Sequence, residues 1–78
     1  MKPFQMRAAR AILRLGVREV AEAAGVTPAT ITRFETEKGG LQMASIDKLR
    51  AFYESQGVMF IEANGEGPGV RMRKEHHD

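Results

Sequence analysis

The side chains with the most to say about chemistry lie in residues 27–42. Placed on one helix, Pro28, Ala29, Thr32 and Arg33 share a face, because positions one, four and five apart project to the same side. Arg33 is the one long polar side chain in the set. Its guanidinium fork matches the O6 and N7 acceptors of a guanine, a contact worth about 1–3 kcal/mol of discrimination. Pro28, Ala29 and the methyl of Thr32 suit the methyl group of thymine instead. Thr27 stands just ahead of this face, where a helix start offers exposed amides and a favourable dipole to a phosphate. Lys38 and Gln42 follow as further phosphate candidates, with Arg14 and Arg18 behind them. The bland alternative for Arg33 is a solvated surface arginine, or one that touches only phosphate.

Other chemistries find no purchase. Glu19, Glu22, Glu35, Glu37 and Glu54 do not assemble into an acid/base pair, and there is no Ser/His/Asp ordering or phosphate loop. With no cysteine in the chain, thiolate metal sites and disulfides are excluded. His76-His77 lie in a charged tail without metal-ligand spacing. The expectation is a non-enzyme with no cofactor, no metal and no small-molecule ligand.

Four helical segments must carry these residues. Residues 4–15 put Met6, Ala9, Leu13 and Ile12 on one stripe after Pro3, with Gly16 as punctuation. Residues 17–24 follow, with Val20, Ala21 and Ala24 on one face and Gly25 as the stop. Thr27 caps the third helix and Pro28 fits its first position; Val26, Ile31 and Phe34 turn inward. Lys38-Gly39-Gly40 forms a loop. Residues 45–56 then carry Ile46, Leu49, Phe52 and Tyr53, with Ser45 as the expected cap and Gly57 as the end. Beyond Gly57, Val58-Met59-Phe60-Ile61 reads as a strand and 64–69 as a dense turn. Val70-Arg71-Met72-Arg73 alternates as a half-buried strand does, so a hairpin results. Met6, Met43, Met59 and Met72 read as core or interface filler. The expected division is 1–56 for the helical unit, 57–73 for the hairpin and 74–78 for a flexible tail.

Two short helices meeting across a glycine-containing turn form the helix-turn-helix layout, whose second helix enters the major groove. Ala21 must be small where the helices cross, and Gly25 turns the chain without a side chain in the way. On the Val20-Ala21 pair, Gly25-Val26-Thr27 and Thr30-Ile31-Thr32-Arg33-Phe34-Glu35, the chain resembles the Cro/repressor-type (XRE) regulators of phages and bacteria, over residues 7–53. The resemblance implies a mostly α fold: a four-helix Cro/repressor-like domain, here with a short C-terminal strand or hairpin. It also implies a structural pair between Arg10 and Glu35. The tail from Gly57 onward resembles that of small alphaproteobacterial members. Two departures stand out. Gly16-Val17 replaces the usual Ser/Thr-Gln cap and phosphate contact. Thr36-Glu37 intervene before Lys38-Gly39-Gly40, where relatives carry Asn-Gly.

The chain has 78 residues, a length that gives one domain of marginal stability unless something adds to it. Without disulfides, association is the expected addition. In Val58–Ile61 both faces are apolar, so one face and the strand edge need cover. Val58, Met59, Phe60 and Ile61 are therefore the expected homodimer interface. Lys and Arg exceed Asp and Glu by 12 to 10, a hint of a polyanionic partner. No apolar run approaches a membrane span, and the first residues lack a signal-peptide core, so a cytoplasmic setting is expected, at the bacterial nucleoid or in a phage-infected cell. The expectation for function is a dimeric, sequence-specific transcriptional regulator of the repressor kind, binding palindromic double-stranded DNA. The rival is a protein-interaction module, antitoxin-like or anti-regulator, with a degenerate helix-turn-helix. Arg71, Arg73 and Lys74 are left between a solvated strand face and a DNA contact.

Overall fold

Pro3 lacks the amide that a first helical turn leaves unused, and the Ala-, Leu- and Arg-rich run behind it favours helix. In the computed structural model, which describes residues 1–37 and 42–74, this run is helix α1 (Pro3–Leu13). It ends two residues earlier than its composition predicts. Arg14 takes the left-handed conformation at φ 57°, and its amide donates to Ala11 O at 3.1 Å. The Leu15 amide reaches back to Arg10 O at 3.2 Å, completing the double bond pattern that satisfies the last carbonyls. Gly16, expected to end α1, instead precedes α2 (Val17–Ala24). Its amide donates to Glu19 Oε1 at 2.8 Å, so the missing Ser/Thr cap is replaced from the third helical position.

Gly25 ends α2 as expected, at φ 79°, with its amide and that of Val26 both on Ala21 O at 3.0 Å. Helix α3 (Pro28–Glu35) begins where Thr27 and Pro28 predict. Helix α4 (Met43–Ser55) begins earlier than expected. Gln42, not Ser45, is the residue before it, and the Ser45 amide already bonds Gln42 O at 3.0 Å. Met43 and Ala44 are good helix formers, and they extend the helix upstream of the hydroxyl. Strands β1 (Val58–Ile61) and β2 (Gly69–Met72) pair antiparallel, Val58 opposite Met72 and Ile61 opposite Gly69. The hairpin is thus present, with β2 starting at Gly69. Among the described residues, four helices and one two-stranded hairpin make a small, mostly helical domain.

Met6, Ala9, Val20, Ala21, Ile31, Leu49, Tyr53 and Val58 form one core, drawn from every helix and from β1. Leu13, Ala24, Val26, Phe34, Phe52 and Phe60 pack around it. Ile12 departs from the expected stripe and is 39% exposed; Met43, expected as filler, is 68% exposed. The hairpin joins this core through Val58 and Phe60. Their alternation turns Met59 outward, at 37% exposed, with Ile61 half-buried on the same outward side. Lys38 and Gly39-Gly40, expected as a loop, and residues 75–78 of the expected tail, His76-His77 among them, lie outside the described residues. Among the described residues, no helix is long and apolar enough to cross a membrane.

Candidate nucleic-acid interface

The sequence of α3 divides it cleanly. Ile31 is fully buried and Glu35 nearly so, with Phe34 packed against the core. Thr27, Pro28, Ala29, Thr32 and Arg33 are all exposed, so the five residues singled out by type and spacing stand together on the opposite side. Gln42 is exposed at the start of α4; Arg14 and Arg18 are exposed on either side of Gly16.

At the N-terminus of α3 the Thr27 hydroxyl accepts from the Thr30 amide at 3.2 Å and lies 2.9 Å from the Thr30 hydroxyl. Its first task is therefore the cap, and any phosphate there would share it. At the C-terminus, the Thr36 hydroxyl donates to Thr32 O at 2.7 Å, so Thr32 presents only its own side chain outward.

What fixes the pose of α3 is a clamp from α1. Arg10 Nε donates to Glu35 Oε2 at 2.8 Å and Arg10 Nη2 to Glu35 Oε1 at 2.7 Å, a bidentate pair. This is the pair that the family resemblance implies. Arg10 Nη1 also donates to Leu15 O at 3.2 Å, which ties the α1–α2 connection to the same guanidinium. The hydrogen bonds that Arg10 donates to Glu35 hold the Arg10 pKa above its ordinary value, against the opposing pull of burial. Arg7, one turn earlier, donates from Nη1 to the Glu35 carbonyl. Sequence reasoning passed over Arg7. The signal was its position three residues before Arg10, on the same face of α1.

Tyr53 lies behind the clamp, fully buried. Its hydroxyl has no hydrogen-bond partner among the described residues. Burial pushes its pKa up to about 12, with the Glu35 charge adding to the rise and Arg10 opposing it.

A second omission is Gln5, 2% exposed on α1. Its Oε1 accepts from the Lys2 amide at 2.8 Å and caps α1. Its Nε2 donates to Ile61 O at 3.2 Å and Gly69 O at 3.0 Å, fastening the hairpin. The amide has two donors and an acceptor, and all are used, which is what allows it inside. Gln5 precedes Ala9 by four residues, so helical periodicity places it on the inner face; its polarity argued the other way.

At the hairpin, β1 has β2 on one side and no strand on the other among the described residues. Around it, Phe60 meets Tyr53 edge-on at 6.3 Å between ring centroids, and the Arg50 guanidinium lies 5.8 Å from the Phe60 ring centre. The arrangement offers an exposed helix face, tied from behind to α1, and a strand edge. Among the described residues no group of three or more His, Cys, Asp and Glu side chains stands as a metal site. Compared with protein-family models and with curated proteins, the chain matches none.

Proposed function

We propose that the chain is a sequence-specific DNA-binding transcriptional regulator of the repressor kind, with the Cro/repressor-like (XRE) fold, acting at the nucleoid as a homodimer. Helix α3 lies in the major groove of a palindromic operator. The observation that carries this reading is the exposed face of Pro28, Ala29, Thr32 and Arg33, backed by Ile31 and the Arg10–Glu35 clamp. A recognition helix needs that combination: small contacts and one arginine in front, and no freedom to swivel behind. Arg33 reads a guanine. Gln42, Lys38 and the α3 N-terminus at Thr27 hold phosphates, which set register without carrying sequence information.

One such helix offers few base contacts, so two are required. Pairing β1 with its symmetry mate covers the strand edge and brings Met59 and Ile61 against their counterparts, beside Val58 and Phe60. Two α3 helices about 34–36 Å apart would then read successive turns of one duplex face.

The test is selection of bound sequences from random duplexes, followed by affinity against salt. A preferred palindrome and a steep log–log loss with salt are expected. Arg33→Ala weakens the selected site by about tenfold or more and random duplex far less. Equal loss on both assigns Arg33 to phosphate. No enriched sequence, with salt-insensitive binding to a protein, selects the protein-interaction module, which the lone long polar side chain on the exposed face of α3 favours. A monomeric mass at micromolar concentration overturns the dimer.

A further inference from the structure

The outward face of the hairpin carries a second surface, on Arg71 and Arg73, that neither α3 nor the β1 edge uses; Met59 lies between it and the proposed dimer seam. A groove of about 520 Å³ opens there, lined by Met59, Arg71, Met72, Arg73 and Lys74. The strand register accounts for it. Met59 stands opposite Arg71 on the outward face. The Arg73 amide donates to Gly57 O at 2.7 Å, which carries the pairing past the end of β2 and puts Arg73 on the same face as Arg71. Opposite Arg73 is Gly57, which has no side chain to fill the space. Both arginines are exposed, and among the described residues neither has a carboxylate partner, whereas Arg10 is paired with Glu35 and Arg50 with Glu54. Two guanidinium groups therefore stand beside the exposed Met59, their charge unmatched among the described residues.

Four occupants can be compared. A second copy laid face to face would set four arginines against one another. A small ligand needs most of its surface buried, and this groove is open. Duplex DNA would use the arginines but gain nothing from Met59, and the hairpin packs on α4 and α1 while α3 packs on α2 and α1. A protein segment with carboxylates around an apolar side chain uses both parts. Carboxylates match the guanidinium fork, and methionine adapts its shape to an apolar partner.

We propose that the outward face of the hairpin is a docking site for an acidic protein segment, whose carboxylates pair with Arg71 and Arg73 while an apolar side chain lies on Met59. The domain would then hold DNA with α3 and a partner protein with the hairpin.

The test is titration of the full chain, followed by amide chemical shifts, with a peptide of one leucine flanked by two glutamates on each side. Saturable shifts confined to Met59, Arg71, Met72, Arg73 and their neighbours are expected. The Arg71→Gln/Arg73→Gln double variant should bind the peptide at least about tenfold more weakly, since two charged hydrogen bonds are lost. It should bind duplex DNA as the native chain does. Replacing the leucine by glycine weakens binding several-fold, and a lysine-flanked peptide does not bind the native chain. Equal binding of the leucine and glycine peptides overturns the proposal, as does unchanged binding by the double variant. A matching loss of DNA affinity in the double variant overturns it in favour of a DNA backbone contact. These outcomes do not depend on whether α3 reads sequence.

Discussion

Replacing Arg10 by methionine tests how α3 is held. The substitution keeps length and apolar stem but removes two charge-assisted hydrogen bonds, at 2.7 and 2.8 Å, and a third to Leu15 O. Breaking a buried ion pair from one side costs about 3–5 kcal/mol, because the surviving charge is stranded. Here the Glu35 side chain is 7% exposed and Arg10 is 27% exposed. The stranded carboxylate is the deeply buried partner, but the site is not sealed, so about 3 kcal/mol is the expected cost. A chain of this length has about 4–12 kcal/mol in total. The loss should lower the melting temperature by about 12–24 °C. Glu35→Gln should cost less, because Arg10 reaches water when released. Thermal unfolding followed by circular dichroism, for both single variants and the double, gives the coupling directly. Two results would refute the reasoning: an Arg10→Met cost below about 1 kcal/mol, or strict additivity in the double variant. The first would mean that Ile31, Phe34 and the Arg7 contact hold the helix without the ion pair.

Tyr53 is the only tyrosine and there is no tryptophan, so phenolate absorbance reports one group. Its midpoint should fall near 12, against 10.0 for an ordinary tyrosine. A raised folded pKa means that its stabilising share is full below pH 10 and is lost as pH climbs to 12, an effect of about 3 kcal/mol. Tyr53→Phe should remove that alkaline loss. At pH 7 it should leave stability within about 1 kcal/mol of native, since the buried hydroxyl has no partner to lose among the described residues. Gln5→Leu should cost about 2–3 kcal/mol by denaturant titration, because Ile61 O and Gly69 O lose their shared donor and the Lys2 amide loses its cap. The same variant should raise amide exchange in β1 and β2 more than in α2 or α3.

The parts of the fold legible in the sequence were those written in local chemistry. Thr27-Pro28 states a helix start, Gly25 a stop, and the Val58–Ile61 run a strand. Each needs only its neighbours to be understood. The exposed set on α3 was legible for the same reason, since half a helical turn separates it from Ile31 and Glu35. What escaped either carried no side-chain signal or was decided at long range. Arg14 adopts a conformation that favours glycine because Ala11 and Arg10 carbonyls are waiting for the amides at 14 and 15. Met43 and Ala44 extend α4 without any cap to announce it. Gln5 and Arg7 look like surface residues until the hairpin and Glu35 arrive from elsewhere in the chain. The Arg10–Glu35 pair was anticipated only through family resemblance.

Gln5 also has a temporal consequence. Its two carbonyl partners lie 56 and 64 positions downstream. During synthesis α1, α2 and α3 emerge first, and the Arg7 and Arg10 contacts can close once Glu35 has appeared. The Gln5 donors then wait, unpaired, until β2 has left the ribosome. Such a late contact is costly in loop entropy and slow to form. Folding should therefore finish by docking the hairpin onto a preassembled helical body, with the side chain of Gln5 as the latch.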